Sequence, residues 1–409
     1  MKILMITHRF PYPPDRGDRL LAFRTIEVLA RAHEVHVLSF TDETDPPDSV
    51  AALEALGVRV RTVPRSRARS LARTALALGR RTPLQVAYFE SARMAEAARS
   101  EAHGRFDVVA AQMIRMTPYG LLAPARYRVA MLGDCLDLLL TRRVPFEPAW
   151  KRPLVELERR RARAFERAMA GRYDESWLVA GEDVEGFPPH LRARLRVVPN
   201  GFPTDLLTLP LERPATRRIL FVGHLGVPHN VDAARELVRE VLPRVRARHA
   251  QATVRLVGAG AVPAVRDLAA PPAVEFVGFV PDLAVELREA EVFVAVLRFA
   301  AGVQNKILEA VAAGVPVVTS PIAARGLGLP DDGGGYISTG RNAAEIAAAV
   351  AAILDDPRAA RERAVAARDW LARTFRWENA LEAMAAIERR LGDSVSPRPA
   401  AGPNLATSD

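Results

Sequence analysis

Three polar residues, Asn305, Lys306 and Glu309, stand at the start of a predicted helix and carry groups that can bind a phosphorylated ligand. The apolar residues of this stretch recur at helical spacing and are expected to face a core: Ile307, Leu308, Val311 and Ala312. Free N–H groups and the positive dipole end at a helix N-terminus attract anions, so Lys306 is placed to hold a phosphate. Glu309, one turn on, can accept hydrogen bonds from hydroxyl groups. A ligand that offers both groups, such as a sugar nucleotide, fits this pattern.

The segment 302–314 resembles the nucleotide-sugar signature of GT-B glycosyltransferases, family 4 in particular, whose retaining members carry Glu-x7-Glu before a small-residue helix. Glu309 matches the second Glu of that pattern and Gly302 matches its glycine. The first Glu, which contacts the donor hexose in the family, falls at Ala301. The stretch 298–309 is most similar to the sugar transferases associated with exosortase (PEP-CTERM) and exopolysaccharide loci.

Short β-rich runs alternate with helical segments along the whole chain, which predicts an α/β protein with parallel sheets covered on both faces. The resemblance implies the GT-B fold, in which two doubly wound Rossmann-like domains face each other across a deep cleft. Ligands of such sheets bind outside the carboxyl ends of the strands, so the cleft is the predicted active site. The predicted parts are an acceptor-binding domain (1–198), a Pro-rich linker (199–215), a nucleotide-sugar-binding domain (216–375), a helix returning to the first domain (376–391) and a disordered tail (392–409).

Composition narrows the class of protein further. The chain has 409 residues, a formal net charge of +9 and one cysteine. No apolar run approaches the ~18 residues of a membrane-spanning helix, and the first strand lacks the features of a secretory signal, so a cytoplasmic protein is expected. The single Cys135 is expected to be a buried free thiol. Nucleic acid is not an expected partner, because no aromatic interleaving or known basic motif accompanies the charge.

In the first domain, a Pro-rich loop follows the first strand and leads to Gly17. In the resembling family the matching glycine loop lies near the donor phosphates, with the acceptor on the same domain; the alternative is an ordinary βα loop. Cations flank the helix start, and Arg9 and Arg16 are predicted to contact the acceptor. Two further residues after a strand, Asp134 and Asp137, are predicted to hold acceptor hydroxyls, although Asp134 equally fits a helix cap.

In the second domain, the turn at Gly223 and His224 resembles the family's Gly-Arg/Asn-Leu turn and is predicted to line the cleft. Many relatives then carry Lys-Gly, where this chain has His229 and Asn230, so one phosphate-neutralising lysine is absent. Phe279 and Val280 match the segment where main chain meets the nucleotide base, with core packing as the alternative. A partial Gly-x-Gly at 258–260 is a weak dinucleotide signal and is interpreted as a turn.

The stretch 65–81 carries six arginines without a local acidic partner, together with Leu71, Ala75 and Leu78 at helical spacing. Such a helix can lie on anionic lipid at the inner face of the plasma membrane, or it can be a docked surface helix.

The predicted reaction is transfer of a hexose from a nucleotide-diphosphate sugar to a growing, lipid-linked exopolysaccharide or other glycan, with retention. Lys306 and Arg298 are the predicted catalytic cations that neutralise the departing diphosphate. No cofactor or catalytic metal is predicted, because no Asp-x-Asp or ligand-spaced cluster occurs. Two alternatives stay open: a GT-B-fold sugar-nucleotide epimerase, and a catalytically degenerate scaffold that binds nucleotide sugars, which the residue at Ala301 makes plausible.

Overall fold

A computed structural model describes residues 1–14, 17–101, 106–212 and 215–393. Within these ranges the chain forms two parallel β-sheets, each flanked by helices. The predicted α/β architecture with two sheets is confirmed. Most of the predicted disordered tail, residues 394–409, lies outside the described residues.

The strands described in the first domain are β1 (Lys2–Thr7), β2 (Glu34–Thr41), β3 (Arg59–Pro64), β4 (Phe106–Gln112), β5 (Ala125–Gly133), β6 (Glu175–Leu178) and β7 (Leu195–Val197). They pair in parallel in the order β3-β2-β1-β4-β5-β6-β7. Because helices cover both faces, the interior strand β1 is buried from Ile3 to Thr7 and shows no alternation of polar and apolar residues.

The helices described around this sheet are α1 (Gly17–Ala30), α2 (Ser49–Glu54), α3 (Arg67–Leu76), α4 (Leu84–Tyr88), α5 (Ala92–Ser100), α6 (Met113–Gly120), α7 (Leu136–Arg143), α8 (Arg152–Arg172) and α9 (Pro189–Arg192). Cys135 precedes α7 as a buried free thiol, as expected. The first N–H groups of α7 donate to Glu166 of α8, from Leu136 at 2.7 Å and from Asp137 at 3.0 Å. Asp134 therefore does not cap this helix, because Glu166 already does so.

The strands described in the second domain are β8 (Arg218–Val222), β9 (Thr253–Val257), β10 (Val274–Gly278), β11 (Val292–Ala295), β12 (Val317–Thr319) and β13 (Ser338–Thr339). They are parallel, in the order β10-β9-β8-β11-β12-β13. Strand β13 was not predicted, because two residues are too short to show a pattern in the sequence.

The helices of this domain are α10 (Pro228–Glu236), α11 (Leu242–Arg246), α12 (Pro263–Arg266), α13 (Leu283–Glu289), α14 (Asn305–Ala312), α15 (Pro321–Gly326), α16 (Ala343–Asp355) and α17 (Pro357–Thr374). A π-helical segment, Leu237–Val241, joins α10 to α11. On α14, the four apolar residues predicted to face the core are buried. The hydrophobic effect thus fixes the rotation of α14, and with it the direction of its polar residues.

The two domains are connected twice. After β7 the chain crosses to the second domain through a short 3-10 helix, Thr204–Thr208. After α17, helix α18 (Asn379–Asp393) returns, and Met384 and Ile387 are buried in the core of the first domain. Trp377, just before α18, contacts the first crossing segment: its Nε1 donates to the carbonyl of Phe202 at 3.2 Å.

Contacts along the inner faces also join the domains. Arg142 of α7 donates from Nη1 to the carbonyl of Ala300 at 2.8 Å, and its other nitrogen pairs with Glu182. Arg325 of α15 reaches the same carboxylate, with Nε 3.1 Å from Glu182 Oε1. These contacts hold the loop before α14 against the first domain.

Candidate functional site

A cavity of about 690 Å³ lies between the two domains, beside the carboxyl ends of both sheets. This is where ligands of doubly wound sheets bind. Its walls come from the loop after β1, the turns after β8, β9 and β10, and the start of α14. The described lining residues include Arg9, Gly17, Asp18, Gly223, His224, His229, Asn230, Phe279, Val280, Asn305, Lys306 and Glu309.

Lys306 is the cation at the centre of this lining. Its Nζ donates to Asn230 Oδ1 and lies 5.3 Å from the centroid of the Phe221 ring. Among the described residues it forms no ion pair with a carboxylate. Burial therefore lowers the pKa of Lys306 to about 7, although the nearby charge of Glu309 acts in the opposite direction. An anion bound here would supply the missing counter-charge.

Glu309 lies one turn further along α14 and also lines the cavity. Burial raises the pKa of its carboxyl to about 7, and the nearby charge of Lys306 opposes that rise. No described residue hydrogen-bonds to the carboxylate, so its oxygens are available to hydroxyl donors of a ligand. The cation and the hydroxyl acceptor predicted from the sequence thus face one cavity.

Gly17 and Asn305 bring the two domains together at the edge of this cavity. A Cβ built on Gly17 would lie 3.7 Å from Asn305 Nδ2, so a larger side chain there would fill the gap between α1 and α14. Asn305 Oδ1 in turn accepts a hydrogen bond from Asn200 Nδ2 at 3.1 Å. The first turn of α14 is therefore fixed by the chain that links the domains.

The turn at Gly223 and His224 forms the wall contributed by β8. The partial Gly-x-Gly packs directly on it: a Cβ on Gly258 would lie 1.8 Å from the carbonyl oxygen of Gly223, and one on Gly260 would lie 2.3 Å from the His224 ring. Both Gly258 and Gly260 also have positive φ angles. These glycines are thus required for close packing of two turns.

His229 and the β10 turn complete the second-domain wall. Burial lowers the pKa of His229 to about 3, and the charges of Lys306 and Arg143 lower it further, so this ring is neutral at physiological pH. Phe279 is 68% exposed at the cavity edge, whereas Val280 packs partly against the domain core. The exposed ring of Phe279 offers a flat apolar face to a ligand.

The first-domain wall is a network of charged side chains around Asp18. Arg9 Nη1 lies 2.8 Å and His8 Nε2 lies 2.9 Å from Asp18 Oδ2, and Arg115 Nη1 lies 2.9 Å from His8 Nε2. These neighbours hold the pKa of Asp18 well below its usual range in spite of burial. Burial lowers the pKa of His8 to about 4, against the effect of Asp18. Arg16, predicted to contact the acceptor, lies outside the described residues.

The structure does not bring Arg298 to the cavity. Its guanidinium pairs with Asp232 and with Glu236 of α10, at 3.4 Å for the latter, and lies over the ring of Phe146 at 4.9 Å. The guanidinium charge that was predicted to neutralise a diphosphate is therefore neutralised by two carboxylates of α10. Lys306 remains the predicted catalytic cation that lines the cavity.

Asp137 also lies away from the cavity lining. Its carboxylate pairs with Arg159 at 2.8 Å and with Arg163 at 3.6 Å, both on α8. Asp134, by contrast, hydrogen-bonds to no described residue and contacts the loop before α14: a Cβ on Gly302 would lie 2.1 Å from Asp134 Oδ1. Burial raises the pKa of Asp134 to about 7, against the effect of Arg115.

Gly302 is needed at its position for two reasons, its φ of +66° and the contact with Asp134. Ala301 beside it is buried, so it does not present a side chain to the cavity. Among the described residues, no group of three His, Cys, Asp or Glu side chains is arranged to hold a metal ion.

The network around Asp18 and the contact between Asn230 and Lys306 were not predicted from the sequence. A signal existed for both. Asp18 follows Gly17 in the first turn of a helix, and Asn230 follows His229 in the first turn of another. The sequence did not reveal the hydrogen-bond partners, because Arg115 is 107 residues from His8 and Lys306 is 76 residues from Asn230.

Two facing Rossmann-like domains with a ligand-sized cavity between their sheets define the GT-B fold. Solved structures with this fold align over nearly the whole chain. HepE of Anabaena, solved in complex with UDP and glucose, aligns with a TM-score of 0.62 at 15% identity, over 97% of this chain and 100% of that protein. Sucrose-phosphate synthase of Thermosynechococcus elongatus aligns with a TM-score of 0.66 at 20% identity, over 96% and 100%. The predicted GT-B fold is confirmed.

Residues 216–356 match the family model described as "Glycosyl transferases group 1". A glycogen synthase of Mycobacterium tuberculosis is 32% identical over 241 residues, which are 52% of this chain and 55% of that protein. The chain thus spans about half the length of the curated relatives it matches. These findings support the prediction of a transferase, and the family match falls on the domain that carries Lys306 and Glu309.

Proposed function

We propose that the protein is a glycosyltransferase that moves a hexose from a nucleotide-diphosphate sugar to a glycan acceptor. The observation that carries this proposal is the placement of Lys306. It is a lysine with no described carboxylate partner, at the N-terminus of α14, in a cavity that also holds the hydroxyl acceptor Glu309. The match of residues 216–356 to a glycosyltransferase family and the crystal complex of HepE with UDP support the same ligand class.

In this proposal the donor lies along α14. The diphosphate meets Lys306 and the free N–H groups of the first turn, and the ribose hydroxyls meet Glu309. As the bond from the sugar to the diphosphate breaks, negative charge grows on the leaving phosphate oxygen beside Lys306. A preorganised cation in a recessed site stabilises that charge, which is the main catalytic contribution available from the described residues.

The acceptor is proposed to enter along the first-domain wall, where Arg9 and Asp18 line the cavity opposite α14. Asp18 has its charge fixed by Arg9 and His8, so it is suited to hold acceptor hydroxyls and poorly suited to take up a proton. Because none of the described residues on this wall is a strong base, we propose that the acceptor attacks from the same face of the sugar as the leaving group, with retention of configuration. Membership of the exosortase-associated subgroup and a role in exopolysaccharide synthesis belong to the same proposal.

A lipid-linked acceptor is proposed because the first domain presents an apolar, basic surface. Leu71, Leu76 and Leu78 are exposed on and after α3. Arg161 of α8 donates to the carbonyl of Leu78, so the two segments are neighbours. On the preceding turns of α8, Leu154 and Leu157 are exposed as well, and Trp150 just before the helix is 79% exposed.

The charge of this surface is smaller than the sequence suggested. Asp42 pairs with Arg65 at 2.6 Å and with Arg67 at 3.7 Å, and Glu90 pairs with Arg80 at 3.4 Å. These acids lie on neighbouring segments, which a local sequence window does not reveal. Arg69 and Arg81 form no ion pair with a described residue and are left for anionic headgroups. No described helix is long and apolar enough to span a bilayer.

Vesicle flotation tests the membrane contact. The protein is expected to float with phosphatidylcholine vesicles that contain phosphatidylglycerol and to stay below pure phosphatidylcholine vesicles. Leu76→Glu combined with Trp150→Glu should abolish flotation. Val285→Glu, at an exposed apolar residue of the second domain, is the matched control and should float like the wild type. Equal flotation of both variants would reject this surface.

A thermal-shift screen with UDP-, GDP-, ADP- and dTDP-sugars tests the ligand class. A ligand at 100 times its dissociation constant stabilises by about 2.7 kcal/mol, so a bound donor should raise the melting temperature clearly. The donor found is then assayed for transfer, and the anomeric configuration of the product is read by NMR. If no nucleotide sugar raises the melting temperature, the proposal is wrong. Binding without transfer would favour the scaffold, and solvent deuterium entering the sugar would favour the epimerase.

A further inference from the structure

The side chain that holds Lys306 in position is the neutral amide of Asn230, in the first turn of α10. Asn230 Oδ1 accepts from Lys306 Nζ, and Asn230 Nδ2 donates to the carbonyl of His224 at 3.1 Å. An ammonium only donates and a carbonyl only accepts, so the two partners together fix which way the amide points. Asn230 is 5% exposed and packs on Gly223, where a Cβ would lie 2.9 Å from Asn230 Cγ.

This arrangement orients a cation without neutralising it. A carboxylate at the same position would form an ion pair with Lys306 and would compete with any anionic ligand. The other groups that face the ammonium do not replace a counter-ion. The ring of Phe221 is uncharged, His229 is neutral because burial lowers its pKa, and Glu309 forms no ion pair with Lys306 within the described residues.

We propose that Asn230 is a positioning residue for the diphosphate site. It aims the Lys306 ammonium into the interdomain cavity and leaves its charge free for the donor. The inference rests on the proposed function and adds Asn230 to the residues of that site.

The test uses the protein with Asn230→Asp, which keeps the size, adds a counter-ion and removes the donor to the His224 carbonyl, and with Asn230→Ala, which removes both contacts. The matched control is Asn342→Asp, which adds the same charge at the exposed N-cap of α16. The probes are UDP, GDP and ADP, each with its nucleoside, and inorganic pyrophosphate. Affinities are measured by titration calorimetry or, where binding is weak, by ligand-observed NMR.

Asn230→Asp is expected to lower the affinity for the nucleoside diphosphate and for pyrophosphate by roughly 10- to 100-fold, which is the range of one charged hydrogen bond. Its nucleoside affinity should stay within about twofold of the wild type, because in the proposed binding mode Lys306 meets the diphosphate and not the base or ribose. Asn230→Ala should lower the affinity for the diphosphate by a smaller factor, and Asn342→Asp should bind the diphosphate as the wild type does. A near-ultraviolet circular dichroism spectrum confirms that each variant is folded.

The alternative outcomes separate the inference from the function on which it rests. If Asn230→Asp is folded and binds the diphosphate as tightly as the wild type, the positioning role is wrong. If diphosphate and nucleoside affinities fall together, Asn230 only supports the turn at His224, and the inference is also wrong. If the wild-type protein binds none of the diphosphates, the proposed donor class itself fails.

Discussion

Gly17 in the first domain and Asn305 in the second face each other at the edge of the interdomain cavity, where a Cβ on Gly17 would lie 3.7 Å from Asn305 Nδ2. The first residue of α1 thus lies opposite the first turn of α14. Asn305 Oδ1 accepts a hydrogen bond from Asn200 Nδ2, so the segment after β7 holds the start of α14. The proposed anion site at the start of α14 therefore lies next to the first domain.

Replacing Lys306 should remove most of the catalytic charge stabilisation. We expect Lys306→Met, which keeps the aliphatic stem, to lower kcat about 10²- to 10³-fold, the usual effect of removing one preorganised donor at a developing charge. The KM for the acceptor should change little. Initial rates at varied acceptor concentration measure both values.

Arg298→Ala is the control for this experiment, since both cations were predicted from the sequence to be catalytic. Its guanidinium is paired with Asp232 and Glu236, and exposed ion pairs contribute about 0–1 kcal/mol, so the loss of kcat should be less than about fivefold. Equal losses in the two variants would contradict the placement of Lys306 as the catalytic cation.

Glu309 should act on the nucleoside part of the donor. We expect Glu309→Gln to weaken nucleoside and nucleotide binding by a similar factor of about ten, because a neutral amide oxygen is a weaker acceptor for ribose hydroxyls than a carboxylate. Lys306→Met, by comparison, should lower the affinity for the diphosphate and leave the affinity for the nucleoside unchanged. Calorimetric titrations of both ligands against both variants separate the two roles.

Donor binding should take up a proton at pH 8. The pKa of Lys306 is lowered by burial to about 7 in the free protein, so at pH 8 the side chain is mostly neutral. A bound diphosphate favours the ammonium and raises this pKa, so the complex holds the extra proton and affinity falls as pH rises above 7. Glu309, whose pKa is about 7, and the neutral His229 contribute little at this pH.

Titration calorimetry at pH 8 in two buffers with different ionisation enthalpies measures this proton uptake. The wild-type protein should take up roughly one proton per diphosphate bound, and Lys306→Met should take up none. An unchanged uptake in the variant would assign the proton to another group.

Gly302→Ala should destabilise the protein through both conformation and contact. The φ of +66° costs about 1 kcal/mol for alanine, and the new Cβ would lie 2.1 Å from Asp134 Oδ1. Gly328→Ala is the matched control, with a φ of +76° and no atom within 4 Å of the added Cβ. Urea unfolding should show a loss of about 1 kcal/mol for the control and a loss of about 2–4 kcal/mol for Gly302→Ala.

The fold and part of the candidate site were predictable because their signals are local. The strands of both sheets appear as apolar runs, and α14 shows its buried face by spacing alone, which also sets the direction of Lys306 and Glu309. The glycines could be assigned to turns from the sequence, but the residues on which those turns pack could not be predicted. The pattern at Gly258 and Gly260 indicated a turn, and only the structure shows that this turn packs on Gly223 and His224.

The sequence by itself determined two α/β domains and the cation and carboxylate one helical turn apart on α14. Only the tertiary structure decided which charges are free: Arg298 is neutralised by Asp232 and Glu236, whereas Lys306 is held by the amide of Asn230. The physical reason is that an electrostatic role depends on the groups within a few ångströms and on their exposure to water. Asp232 is 66 residues from Arg298 and Asn230 is 76 residues from Lys306 along the chain, so local sequence patterns cannot reveal these contacts.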